Sequence, residues 1–333
     1  MVKIDLKDRR ILYELDINSR QPNSEIAKKV GLSKQVVGLR IKKLVQVGII
    51  SSFHTVIDIS KLGFAIHKGF LRLQNLDRGK EKEIIDFLVN HPNVVWVASC
   101  EGRFDLAFGT WAKDMAFLDK TLTDLNKRFG QHIAERQIAT ILRGEYFIRE
   151  YLLGKKERHQ KRESFFGAVP APINVKSIDW NILLILGKNS RTTTVEIART
   201  VRLSAETVAQ RIRKLERSGV IRRYNIVPNE SEYPYLHYKV LIGSRNMTEA
   251  NEKTLQEYCR THPNIVYIVK SLGPWDYEID LETESAEQFR DVMRDIKTRF
   301  SDILKDYSSL HIYQVHKYNF CPSIQTSGIT ISQ

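Results

Sequence analysis

The sequence predicts an α+β protein in which one unit is used twice, and three observations carry that reading. The stretch "VGLSKQVVGLRIKKLVQVGII", Val30 to Ile50, returns without a gap as "VRLSAETVAQRIRKLERSGVI", Val201 to Ile221. The register persists beyond it: Asp8 matches Asp179, and "HPNVVWVASCEGRFD" from His91 matches "HPNIVYIVKSLGPWD" from His262, both 171 residues apart. Each copy then reads as three short helices followed by a βαββαβ order. Two such copies account for nearly all of the 333 residues.

In the first head, "DRRILYELDIN" places Ile11, Leu12 and Leu15 on one helical face. "SEIAKKVG" follows with Ile26, Ala27 and Val30, Ser24 as its expected N-cap and Gly31 as the turn. Ser33 caps a third helix whose Val37, Ile41 and Leu44 recur at i, i+4 and i+7. Gly48 suits a left-handed terminator, and "IISSFHTVID" reads as a β-hairpin or wing. The second head repeats the plan with Ile182, Leu183 and Leu186, a Thr193/Glu196 capping box, and Ser204 opening a helix with Val208, Ile212 and Leu215 inward. Each head is therefore a winged helix-turn-helix, whose third helix has the shape to enter a major groove.

After the first head come "GFAIHKGFLRLQ" as a strand, "GKEKEIIDFLVNH" as a helix, "VVWVASCE" and "FDLAFGTWA" as strands, "MAFLDKTLTDLNKRF" as a helix and "HIAERQIATIL" as a strand. The second copy repeats that order from "YLHYKVLIG" to "LKDYSSLHIYQV". This is the ferredoxin-like plan, a sheet with helices on one face. The bare face of each sheet invites cover from the other copy. The predicted organisation is a winged helix-turn-helix over 1–60, a ferredoxin-like sensing and dimerisation domain over 61–153, and a basic linker over 154–176. A second head over 177–229, a second ferredoxin-like domain over 230–320 and a tail over 321–333 complete it.

Net charge is +13, and it is not evenly spread: the heads carry +5 and +6 and the linker +4, whereas 230–333 carries −4. Basic heads imply a polyanionic partner, since Lys and Arg that neutralise phosphates release counterions. Double-stranded DNA is the expected partner. Candidate DNA contacts in the first head are Ser33, Lys34, Gln35, Gly38, Arg40, Lys42 and Lys43; in the second, Ser204, Glu206, Thr207, Gln210, Arg211, Arg213, Lys214, and Arg222 and Arg223 of the wing. Lys34, Gln35 and Gly38 correspond to Ala205, Glu206 and Ala209, so the heads should not read identical half-sites. Arg40 and Arg211 lie beside the core stripe, and either grip the DNA backbone or pair with an acidic neighbour. The linker run "GKKERHQKRE" reads as a tether.

The 42% apolar fraction supports buried cores, and no apolar run nears the roughly 18 residues of a membrane helix. A charged start, "MVKIDLKDRR", argues against a signal peptide, which with three scattered cysteines points to a reducing cytoplasm. Cys100, Cys259 and Cys321 are expected as buried thiols, with neither disulfide framework nor metal site. The His-Pro-Asn stretches read as helix-to-strand turns.

With "IDLKDRRIL", "RIKKLVQVGII", "RIRKLERSGVI" and "GRFD" in place, the chain resembles a tandem duplication of the Lrp/AsnC (feast/famine) transcriptional regulators. The resemblance implies a sequence-specific DNA-binding regulator, no cofactor, pairing through the ferredoxin-like domains, further homodimerisation, and an amino acid or related effector near a Gly-x-x-Asp loop. The matching positions are Gly102 and Asp105, and Gly273 and Asp276. The second module departs from the family start by lacking its first Asp. A related architecture, the fused siroheme decarboxylases, offers an enzymatic alternative, but their His-, Tyr- and Arg-rich strand has no clear counterpart in "VWVASCEGRFD" or "VYIVKSLGPWD". A metabolite sensor acting through protein partners is the third reading. The regulator is the favoured one, with no catalytic residue assigned.

Overall fold

A computed structural model describes residues 4–154, 164–167 and 170–321; most of the linker run and all but the first residue of the tail lie outside the described residues. The first module comprises α1 (Leu6–Ile17), α2 (Asn23–Val30), α3 (Lys34–Gln46), β1 (Ile50–Ile57), β2 (Ala65–Leu73), α4 (Arg78–Asn90), β3 (Val94–Gly102), β4 (Leu106–Ala112), α5 (Met115–Phe129) and β5 (Ile133–Tyr146). A short β6 (Ser164–Phe166) follows. The second module repeats the order as α6 (Ser177–Lys188), α7 (Thr194–Val201), α8 (Ala205–Arg217), β7 (Ile221–Pro228), β8 (Leu236–Ser244), α9 (Glu249–Thr261), β9 (Ile265–Leu272), β10 (Tyr277–Thr283), α10 (Ala286–Arg299) and β11 (Leu304–Tyr318).

Local sequence explains the helix ends. Asp5 and Asp8 form a capping box at α1, as Thr193 and Glu196 do at α7. Ser24 is not a cap: Pro22 occupies that position, its fixed φ suiting a helix start, and Ser24 falls inside the first turn. His91 and His262 end α4 and α9, where the imidazole Nδ1 accepts from the backbone of Asn93 and Asn264 at 3.2 Å in each case. The three cysteines are buried and free.

The strand after each third helix does not fold back as a hairpin. β1 runs antiparallel to β7, with Phe53, His54 and Thr55 opposite Ile226, Asn225 and Tyr224. His54 and Asn225 are 171 positions apart, so each faces its own counterpart, the mark of an isologous contact about a twofold axis. Ser19 Oγ lies 2.6 Å from Ser190 Oγ on the same relation. Around them Arg20 donates to Thr192 O at 2.9 Å, and Arg191 to Ser19 O at 2.6 Å. Two modules of one chain thus sit as a pseudo-dimer.

The sheets complete it. Each module forms a four-stranded sheet, β5-β2-β4-β3 and β11-β8-β10-β9, and their edges join through β3–β11 and β5–β9, closing eight strands into an antiparallel barrel. Alternate residues divide between two surfaces. Leu71, Val97, Leu106 and Phe108 pack outward on Ile84, Leu88, Leu125 and Phe129 of α4 and α5. Val240, Ile268, Ile279 and Leu281 do the same beneath α9 and α10. Phe70, Ala98, Cys100, Ala139, Leu241, Val269 and Leu310 fill the interior in a cluster shared by both modules. The bare sheet faces therefore cover each other, and closure removes the surface on which the expected further pairing of chains would rest. The run read as a tether lies, after Gly154, outside the described residues; beyond it β6 pairs with β5, and Ala171 and Ile173 donate to Ser60 O and Lys61 O.

The barrel interior is asymmetric. Ile66, Ala107, Gly109 and Trp111 in one half stand where His237, Glu278, Asp280 and Glu282 stand in the other. Lys239 Nζ donates to Asp280 at 2.7 Å and Glu278 at 3.3 Å, Lys68 Nζ to Glu278 at 2.5 Å, and His237 pairs with Asp280 at 2.8 Å and Glu230 at 3.4 Å. At the rim, Arg149 ties Asp16 of the first head (2.7 Å) to Glu282 of the second module (2.7 Å). Lys239, Glu278, Asp280, Glu282, Arg149 and Asp16 are buried, and Lys68, His237 and Glu230 are partly so, which makes each depend on its partners.

Two outcomes follow. Gly102 (φ +135°) and Gly273 (φ +155°) lie at the two seams, where an added Cβ would stand 2.7 Å from Ser309 O and 2.7 Å from Ile138 O. Either glycine changed to alanine should cost about 1–3 kcal/mol of stability, read from the urea midpoint; an unchanged midpoint would refute the close approach at the seams. The second concerns pH. Burial alone would lower the pKa of His237, but its hydrogen bonds to Asp280 and Glu230 outweigh that and raise it to about 9. Its contribution should be complete below pH 6.5 and vanish as pH rises through about 9, a slope that His237→Gln should flatten in unfolding titrations.

Candidate nucleic-acid interface

α3 and α8 turn the stripes Val37, Ile41, Leu44 and Val208, Ile212, Leu215 into the head cores, which fixes what faces water. Ser33 Oγ accepts from Val36 N at 3.3 Å and Ser204 Oγ from Thr207 N at 3.1 Å, so both serines are spent on N-caps at the end that a groove-binding helix presents first. Lys34, Gln35, Lys42 and Lys43 are exposed on α3, and Glu206, Gln210, Arg213 and Lys214 on α8; Thr207 is half-buried. Gly38 lies where α3 meets α2: a Cβ there would come 3.2 Å from the Asn23 amide nitrogen, a close contact with a movable side chain, and the second head carries Ala209 at the matching position.

The arginines divide differently from the expectation. Arg40 Nη1 pairs with Asp5 and Asp8, at 2.8 Å to each, and these bonds, Asp5 first, raise its pKa. Arg211 pairs with Asp179 at 2.9 Å. Both therefore follow the acidic-neighbour alternative. Arg222 and Arg223 turn inward rather than toward a phosphate. Arg222 grips Asp58 of the first head at 2.6 Å, while Arg223 donates to Asp16 O and lies over the Tyr146 ring at 4.2 Å. Because β7 is held in the ribbon with β1, both side chains reach the other head, although Arg222 stays partly open to solvent.

Sequence reasoning missed Val36 and Leu39, 37% and 66% exposed. Leu39 breaks the i, i+4, i+7 stripe, which was the available signal. Their counterparts are Thr207 and Gln210, so one helix offers apolar groups suited to thymine methyls where the other offers hydrogen-bonding groups.

The Gly-x-x-Asp turns sit at the far end of the barrel from the heads. Asp105 accepts from Leu73 N at 2.6 Å, and Asp276 from Ser244 N at 2.7 Å and its hydroxyl at 2.8 Å. The residue before each, Phe104 or Trp275, is buried in the barrel, and Phe70 packs edge-on to Trp275 at 4.8 Å. Among the described residues no group of His, Cys, Asp and Glu side chains is arranged to hold a metal ion, and no helix is long and apolar enough to cross a membrane.

Profiles of known families match both heads: an AsnC-type helix-turn-helix domain over residues 4–45, and a winged helix-turn-helix DNA-binding domain over 176–222. The proline dehydrogenase transcriptional activator of Rhodobacter capsulatus is 34% identical over 116 residues, which span 34% of this chain and 74% of that protein. The chain belongs to the Lrp/AsnC family. The HTH-type transcriptional regulator AldR of Mycolicibacterium smegmatis is 31% identical over 36% of this chain and 71% of its own length. For the leucine-responsive regulatory protein of Rhizobium meliloti the figures are 29%, 43% and 92%. Each match engages one module's length, whereas this Lrp/AsnC chain carries the unit twice. Among solved structures, the siroheme decarboxylase NirDL superposes on 96% of this chain and 94% of its own with a TM-score of 0.59 at 16% identity, a likeness of fold.

Arg40 has two carboxylates and Arg211 one, because Lys176 stands where Asp5 would be. Removing these part-exposed pairs should cost about 1 kcal/mol or less each, with Arg40→Gln costing more than Arg211→Gln. Thermal unfolding of the two variants orders them; the reverse order would refute the assignment.

Proposed function

We propose that the chain is a sequence-specific transcriptional regulator that binds double-stranded DNA as a single-chain pseudo-dimer. The observation that carries this is the pseudo-twofold through His54 and Asn225, which relates two exposed recognition helices of unlike surface. Two heads held by one ribbon address two segments of one DNA face, and unlike helices prefer an asymmetric pair of half-sites. Lys42, Lys43, Arg213 and Lys214 are the proposed phosphate contacts, with Lys34, Gln35, Val36, Leu39, Glu206, Thr207 and Gln210 nearest the bases.

An α-amino acid at the Gly-x-x-Asp turns is part of the same proposal. Each aspartate is exposed and accepts from the backbone through its Oδ2, which leaves its Oδ1 as the proposed contact for an ammonium group. The chain is proposed to be no enzyme: the named sequence relatives are regulators. The whole-chain fold likeness to NirDL favours a second, enzymatic reading, which an absorbance titration with an iron tetrapyrrole tests directly.

Selection from a random duplex library by the full-length chain should enrich two unlike motifs about one helical turn apart, or a multiple of it. Lys42→Ala with Lys43→Ala should weaken binding to all sequences alike and flatten the salt dependence by roughly 0.9 for each phosphate no longer neutralised. Gln210→Ala should relax one motif only. A symmetric palindrome, or no enrichment, would sink the pseudo-dimer reading.

A further inference from the structure

Beneath the ribbon, at the barrel end nearest the heads, lies a cavity of about 90 Å³. Its walls come from both modules: His54 of β1, Lys68 of β2, Trp96 of β3, Tyr267 of β9, Asp280 of β10 and Tyr318 of β11 all line it. Three observations about these walls point to one kind of occupant.

His54 is 3% exposed, and among the described residues neither of its ring nitrogens has a hydrogen-bond partner; its neighbours are the edges and faces of Tyr318 and Phe320, at 4.8 and 6.0 Å. The two ring nitrogens border the open space of the cavity rather than being sealed in protein, so a ligand atom or water there can reach them. Burial also keeps this ring neutral, its pKa lowered to about 3. The Lys68 side chain is 11% exposed, and its ammonium donates to Glu278 alone, leaving two of its three N–H groups unspent. The carboxylates, by contrast, are committed: Glu278 to Lys68 and Lys239, Asp280 to Lys239 and His237. Lys68 therefore offers spare donors and no carboxylate is free, the neutral His54 ring keeps one donor and one acceptor, and the remaining walls are mainly aromatic and aliphatic.

We propose that this cavity is a binding site for a small monocarboxylate with a compact apolar body and no ammonium group. Lys68 takes the carboxylate, Trp96 and Tyr267 pack on the body, and His54 supplies the second polar contact. A zwitterionic amino acid fits poorly, because its ammonium would be desolvated with no free carboxylate to meet it. Size sets the limit: an apolar cavity of about 150 Å³ holds the six non-hydrogen atoms of benzene, so this one of about 90 Å³ takes roughly four at that density, and about six only with closer packing. A tetrapyrrole is many times too large. The site is separate from the Gly-x-x-Asp turns, which occupy the other end of the barrel. Binding here stands without DNA; that an occupied site would bear on the heads through β1 rests on the regulatory reading.

The test uses the full-length chain, without DNA, and 2-methylpropanoate as the probe, by titration calorimetry. Expected is saturable binding, weakened at least about tenfold in Lys68→Met by loss of a charge-assisted hydrogen bond. Ile141→Phe, which fills the cavity from its apolar wall, should abolish it. Valine and 2-methylpropan-1-ol should bind at least about tenfold more weakly, and Asp105→Asn should leave binding intact. No saturable binding, valine or the alcohol binding as tightly, or loss of binding in Asp105→Asn overturns the proposal. Should Lys68→Met fail to fold, Ile141→Phe decides: retained binding overturns the site, abolished binding with native unfolding behaviour supports it.

Discussion

A four-stranded sheet with helices on one face leaves an apolar face bare, and that face must be buried for the module to be stable. Here the other copy buries it, and the burial goes as far as edge-to-edge pairing, so that two open sheets become one closed barrel. Everything else in the molecule is positioned by that closure. The seams require glycine at 102 and 273, the turns that carry those glycines press Phe104 and Trp275 into one end, and the strands leaving the other end reach the heads.

The heads inherit the symmetry of the barrel but add ties of their own. Antiparallel pairing of β1 with β7 makes the ribbon a shared element, and each head reaches into the other through Arg20, Arg191 and Arg222. Much of the positive charge near the ribbon is therefore structural. Among what faces outward is the set on α3 and α8, and there the copies have diverged, with Leu39 standing where Gln210 stands in register.

The two-module plan, every strand and helix of the ferredoxin-like units, and the capped third helices were legible because periodicity and capping are local properties. α5 even falls on its predicted bounds, Met115–Phe129. What could not be read was whatever depends on contacts between copies. A strand that pairs with its own counterpart looks, in sequence, like one arm of a hairpin, and an arginine beside it looks like a phosphate ligand. Only the register of His54 with Asn225 across the two modules turns Arg222 toward Asp58. The charged barrel interior was hidden for a related reason. Lys239, Glu278 and Asp280 lie on the sheet face expected to be covered by the other copy, and nothing local in the sequence shows that their charges pair with one another there.

Glu278, Asp280 and Glu282 line one half of the barrel, opposite Ala107, Gly109 and Trp111. In a protein made of two identical chains, a mutation introducing those carboxylates would introduce them twice, six acids converging in a space with cations for few of them. Joined in one gene, the halves mutate separately. One can keep the apolar filling that closes the barrel while the other explores polar chemistry inside it. Fusion here is thus a licence for unequal inheritance: the fold demands twofold symmetry of the backbone, and the genetics no longer demands it of the side chains.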